Sequence, residues 1–183
     1  MQHPLHHKIA EAFKQEFSND YIVLTDVDCA CGDERHRLPL FIGSNARSEA
    51  PMCCVDILIV SSHGIKVVVE IDESDLKPTQ ICGKFLTSAL ATQFVHQPSG
   101  NGPYPMCKET LFVQVLDSSK WKNGKTRKDL QASEIESRIN GMLPLKISGI
   151  SKYMLFSVNG DEPDIGAAKV IKNVSEYLVG ACQ

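Results

Sequence analysis

Three carboxylates sit close together on two β-rich runs: Asp56 in Val55-Asp56-Ile57-Leu58-Ile59-Val60, and Glu70 and Asp72 in Val69-Glu70-Ile71-Asp72. Side chains alternate along a strand, so Glu70 and Asp72 share one face while Val67, Val69 and Ile71 take the other. Ser61-Ser62-His63-Gly64 joins the runs and reads as a hairpin turn. With a three-residue turn and Gly64 in the left-handed conformation, Ser61 pairs with Ile65 and Asp56 with Glu70. Directly paired side chains share a face, with Cβ atoms roughly 4.5–5.5 Å apart. Asp56, Glu70 and Asp72 then converge. A two- or four-residue turn moves the register by one and sends Asp56 to the opposite face. Like charges at this range repel. A hard divalent cation, Mg²⁺ or Mn²⁺, offsets that repulsion because it prefers oxygen ligands. The competing reading is a solvated acidic strand face above a buried valine face.

The elements around the hairpin must position these groups. Residues 4–17 read as a helix with Leu5, Ile9, Ala12, Phe13 and Phe17 on one stripe. At about 100° per residue, Glu16 falls near the centre of that stripe, where a carboxylate needs a partner or a metal. Residues 21–27 form a short β-run, and residues 28–52, rich in Gly, Ser, Asn, Arg and Pro, read as irregular. A helix starts near Asp75-Leu76-Lys77-Pro78-Thr79 and runs to about Val95. Residues 97–108 read as loop, 110–116 as strand, 130–139 as helix, 153–158 as strand and 165–178 as helix. The order α-β-β-β-α-β-α-β-α predicts an α/β fold, a mixed sheet flanked by helices. A length of 183 residues suits a single domain with a sizeable core, residues 1–183.

A helix with a glutamate, a strand, an Asp at the start of the next strand, a Glu-x-acid pair on the third, then a helix and a strand resemble the PD-(D/E)XK nuclease superfamily. The resemblance covers residues of about 4–116, with the strand and helices of 117–183 added to that core. The Val-Val-Val-Glu-Ile-Asp run is similar to the Glu-x-Asp branch that includes very short patch repair-type endonucleases. The resemblance implies a restriction-endonuclease-like αβββαβ core and a Mg²⁺- or Mn²⁺-dependent DNA endonuclease of restriction or repair type. It also implies that Asp56 and Glu70 ligate the metal with the Ile71 carbonyl, Asp72 nearby, and that Glu16 takes the helix-one glutamate position. The lysine usual after Glu-x is Asp72 here. A cation from the following helix, Lys84 or Lys77, is the local replacement, and both fall away from Ile81, Phe85 and Ala89. The alternative is a module of the same fold that binds nucleic acid or assembles without catalysis.

Two further groups of residues carry chemistry. Cys29, Cys31, Cys53 and Cys54 bracket the irregular stretch, a spacing that could hold a structural Zn or Fe, with His36 able to replace one ligand. The alternative is that they are small core residues. Lys120, Lys122, Lys125, Arg127 and Lys128 surround Trp121 with no acid among them. Such a segment is either a solvated turn or a phosphate-contacting loop with Trp121 free to stack on a base.

Composition narrows the field. Nineteen basic against 22 acidic residues leave a net charge of -3, which argues against a wholesale nucleic-acid coat but permits a local basic site. No apolar run approaches the ~20 residues of a membrane span. The first residues lack the apolar segment of a secretory signal, and seven cysteines is an odd count for a disulfide framework. A reducing cytoplasm is therefore expected. An enzyme that cuts both strands of a palindrome is expected to be a homodimer.

Overall fold

The computed structural model describes residues 4–26, 38–43, 50–73, 77–95, 103–119, 121 and 125–180. It is a mixed α/β fold. Helix α1 (Pro4–Phe17) leads into β1 (Ile22–Thr25), β2 (Leu38–Phe41), β3 (Cys53–Val55), β4 (Ile57–Ser61) and β5 (Gly64–Asp72). Helix α2 (Pro78–Leu90), β6 (Gln93–Phe94), β7 (Tyr104–Asp117), α3 (Lys125–Met142), β8 (Ile150–Val158) and α4 (Pro163–Gly180) follow.

The eight strands form one mixed sheet in the order β1-β4-β5-β7-β6-β2-β3, with β8 on β7. Strands β5, β7 and β8 are parallel, and β4 runs antiparallel to both β5 and β1. The centre of the sheet is covered on both faces, which is why Ile57–Val60 and Val67–Val69 are continuous apolar runs. On one face Leu5, Ile9, Phe13 and Phe17 of α1, spaced four apart, join Val170, Val174 and Leu178 of α4 over Ile57, Val67, Val69 and Ile71. On the other, Phe85 and Ala89 of α2 and Ile139 of α3 cover Leu58, Val68, Phe112 and Tyr153, together with Leu38, Leu40 and Phe94 of the small β2-β3-β6 extension. Among the described residues no helix is long and apolar enough to cross a membrane.

Several boundaries differ from the sequence reading. Strand β2 lies inside the stretch expected to be irregular, and β7 starts inside the expected loop 97–108. Both carry prolines, Pro39 opposite Cys54 and Pro105 opposite Gln93. Proline breaks a strand only where its missing N–H is needed, so it is tolerated in short peripheral pairings. The run expected to be one strand from Val55 to Val60 is interrupted at Asp56.

The hairpin turn also differs. Ser61 pairs with Gly64, leaving a two-residue turn, Ser62-His63, rather than three. Gly64 has φ +121° and a Cβ there would lie 2.2 Å from the Pro105 carbonyl oxygen, so glycine is required on both counts. One residue further, β5 steps from Ile65 to Val67 while β4 steps from Val60 to Ile59. Lys66 is a bulge. It restores the register that a three-residue turn would have produced, with Ile57 opposite Val69.

Candidate functional site

One step beyond the Ile57–Val69 pair, Asp56 comes alongside Glu70 at the carboxyl end of β5. There the ladder breaks: the Asp56 N–H donates to the Val69 carbonyl at 3.1 Å, and the Asp56 Oδ2 accepts the Ile71 N–H at 2.6 Å. The break turns a strand residue into a fixed carboxylate at the strand end. Glu70 is 3% exposed and Asp72 7%. Both lie on the face covered by α2. Lys84 reaches over from that helix, its Nζ 3.0 Å from Glu70 Oε2 and 4.0 Å from Asp72 Oδ2. Pro78 starts α2 and Ile81, Phe85 and Ala89 anchor it, so the half-buried Lys84 lays its stem along the protein and points its ammonium at the carboxylates.

The electrostatics follow from crowding acids where water is scarce. Burial, then the Asp56 charge, push Glu70 up to about 7, against the opposing pull of Lys84. Burial also raises Asp56, with His6 opposing. Burial alone would lower Lys84, but Glu70, Asp56 and Asp72 outweigh it and hold the ammonium charged. Excess negative charge at a buried site is the condition a divalent cation relieves. Beside Glu70 on β7 lies the fully buried Gln114, whose Oε1 accepts the Tyr153 hydroxyl at 2.9 Å.

His6 and Asp26 enter the same end of the sheet and were missed by the sequence reading. The His6 Nε2 is 2.8 Å from Asp26 Oδ1, and the His6 N–H donates to Glu73 Oε1 at 2.8 Å, tying the start of α1 to the end of β5. Asp26 follows β1, and its N–H donates to the Asp56 carbonyl at 3.0 Å. Burial works to lower His6, but Asp26, Asp56 and Glu73 outweigh it and leave it raised. The helical wheel contained the signal: His6 falls about 20° from both Phe13 and Phe17 at about 100° per residue.

Other expected site residues lie elsewhere. Glu16 is exposed in the last turn of α1. It lines a groove of about 370 Å³ with Phe17, Asp20, Tyr21, Ser175, Leu178 and Val179, apart from the Asp56–Glu70 cluster. Glu16 falls on the apolar stripe of the helical wheel, but in the last turn of α1 it borders an open groove beside α4. Trp121 is not free to stack on a base: it is 6% exposed, packed with Ile81, Leu116 and Ala132. Arg127 is exposed and Lys128 half-buried at the start of α3. Lys120 and Lys122 lie outside the described residues, as does the Lys125 side chain.

The four-cysteine site falls partly outside them too, at Cys29, Cys31 and His36. Cys53 and Cys54 occupy adjacent positions on β3, which point to opposite faces. Burial pushes the Cys53 thiol up, and its Sγ lies 3.5 Å from Ser88 Oγ. That setting favours a protonated thiol. Exposed Lys77 precedes α2. No family model, no curated protein and no solved structure matches the chain.

Proposed function

We propose that the chain is a divalent-metal-dependent endonuclease hydrolysing phosphodiester bonds in DNA, built on a restriction-endonuclease-like core. The observation that carries this reading is the approach of Lys84 to within 3.0 Å of Glu70 and 4.0 Å of Asp72. It offers, from a helix, the cation that Asp72 displaces from the strand. With β2, β3 and β6 set aside, α1, β1, β4, β5, α2 and β7 follow the αβββαβ order.

Asp56 and Glu70, with the Ile71 carbonyl and Asp72 close by, are the residues that would hold Mg²⁺ or Mn²⁺. A bound ion would lower the pKa of its water and stabilise charge on the scissile phosphate. Asp56 is oriented by the Ile71 N–H. Lys84 stays charged and is placed to pair with a phosphate oxygen once the carboxylates are neutralised. Arg127 and Lys128 on α3 are candidates to contact the backbone of the nucleic acid.

The reading of a non-catalytic binding module draws on Asp72 at the lysine position. A single assay separates the two: nicking of supercoiled plasmid in Mg²⁺ or Mn²⁺ by the wild type, Glu70→Gln and Lys84→Met, with single-stranded RNA as a second substrate. The expected result is metal-dependent nicking that falls by about 100-fold or more in both variants, in line with loss of a charged group acting on the transition state. Wild type that binds plasmid without nicking it in either metal would replace the nuclease with the binding module. Variants as fast as wild type would remove Glu70 and Lys84 from the chemistry.

A further inference from the structure

We infer that His6, Asp26 and Asp56 form a divalent-metal site with an imidazole ligand, one that selects a first-row transition ion over Mg²⁺. Each offers one ligand atom, and the three atoms lie within 4.8 Å of one another. That span is about twice a metal–ligand bond of roughly 2.0–2.2 Å. They come from three elements, the first turn of α1, the residue after β1 and the break before β4, so no local sequence motif encodes the site.

A second feature points to the same place. His6 Nε2 and Asp26 Oδ1 are fully buried atoms, and neither has an aligned hydrogen-bond partner among the described residues. Yet the two lie only 2.8 Å apart. At that distance they form an ion pair when His6 is protonated, and a divalent ion held between the neutral imidazole and the carboxylates would take the place of that proton. The surroundings hold the arrangement in place. The main chain of His6 is bound to Glu73, that of Asp26 to Asp56, and the Asp56 carboxylate to Ile71 through Oδ2.

The donor set decides the ion. One imidazole nitrogen with two carboxylates suits Mn²⁺, Fe²⁺, Co²⁺ or Zn²⁺, whereas Mg²⁺ and Ca²⁺ favour oxygen alone. This site shares Asp56 with the cluster around Glu70 but uses neither Glu70 nor Lys84, so it stands or falls separately from the nuclease reading.

Mn²⁺ is the probe. Calorimetric titration and electron-spin-echo detection of ¹⁴N coupling are run on the wild type, His6→Ala, Asp26→Asn and Glu70→Gln, each checked for cooperative unfolding. The wild type is expected to bind Mn²⁺ with imidazole coupling, and Glu70→Gln to keep that coupling even where it loses an ion held through Glu70. His6→Ala is expected to lose the coupling and weaken binding tenfold or more, and Asp26→Asn to weaken it by a similar factor. Mg²⁺ should compete poorly. Absence of ¹⁴N coupling in the wild type overturns the site, as does coupling that survives in His6→Ala and so arises from another of the six histidines. Plasmid nicking read in the same samples keeps the outcomes apart: coupling without nicking leaves the metal site standing and removes the nuclease, and nicking without coupling does the reverse.

Discussion

Replacing Glu70 with glutamine tests whether acids are being held together against their charge. In the folded chain Glu70 keeps its proton up to about 7, whereas an ordinary glutamate gives it up near 4.5. Between those values the folded state binds more protons than the unfolded one, so stability falls as pH rises through this window. At about 1.4 kcal/mol per tenfold change in the proton equilibrium, the full loss is about 3 kcal/mol. Most of it falls between pH 5 and pH 8, because the unfolded carboxyl is already mostly ionised at pH 5. Asp56 is raised as well and acts in the same direction. His6, also raised, contributes stability that is complete below its ordinary value and fades as pH climbs through its folded one. The apo protein should therefore weaken toward alkaline pH. Urea unfolding in chelator reports this through Trp121, the single tryptophan and a buried one. The wild type should lose about 2–3 kcal/mol more than Glu70→Gln between pH 5 and pH 8. Saturating Mn²⁺ should reverse the loss at pH 8, by about 2.7 kcal/mol at a hundredfold excess over Kd. Parallel pH dependences for the two proteins in chelator would refute the claim that burial and the Asp56 charge hold Glu70 protonated.

Two substitutions test the packing that supports the site. Trp121→Ala removes a buried indole from contact with Ile81, Leu116 and Ala132 and should cost about 3–5 kcal/mol in urea unfolding. Any DNA affinity that follows from the proposed function should be unchanged in the folded fraction, since the ring is not offered to a ligand. Gly64→Ala forces a left-handed backbone on an L-residue and drives Cβ into the Pro105 oxygen. It should cost about 1–3 kcal/mol, read as a fall in Tm, and should change the β4–β5 amide chemical shifts more than those of α4.

The paired apolar runs Ile57–Val60 and Val67–Ile71 identify the central strands, and the stripe of Leu5, Ile9, Phe13 and Phe17 identifies α1, because burial on both strand faces or along one helix face leaves a periodic trace in residue type. The peripheral strands leave none. Leu38-Pro39-Leu40-Phe41 looks like loop because its pairing partners, Cys53–Val55 and Gln93–Phe94, are supplied by distant chain. Within the site, the alternation of Val69-Glu70-Ile71-Asp72 marks the acids, and the position of Lys84 opposite the buried side of α2 keeps it among the candidates. The choice of Glu16 over His6 could not be made from the wheel. Both lie in the apolar arc, and only the placement of the strand ends decides which end of α1 meets the carboxylates. Trp121 misleads for a related reason: a basic, Gly-containing segment suggests exposure, while the ring turns inward beneath α2 and α3.

The bulge at Lys66 has a consequence for how the hairpin tolerates insertions and deletions. Asp56 and Glu70 can be neighbours through a two-residue turn with one bulged residue or through a three-residue turn with none. Adding a residue to the turn while flattening the bulge moves length from one place to the other and leaves the carboxylates where they were. Relatives of this chain are therefore free to vary the turn by one residue. A compensating change should appear at position 66, not at the acids.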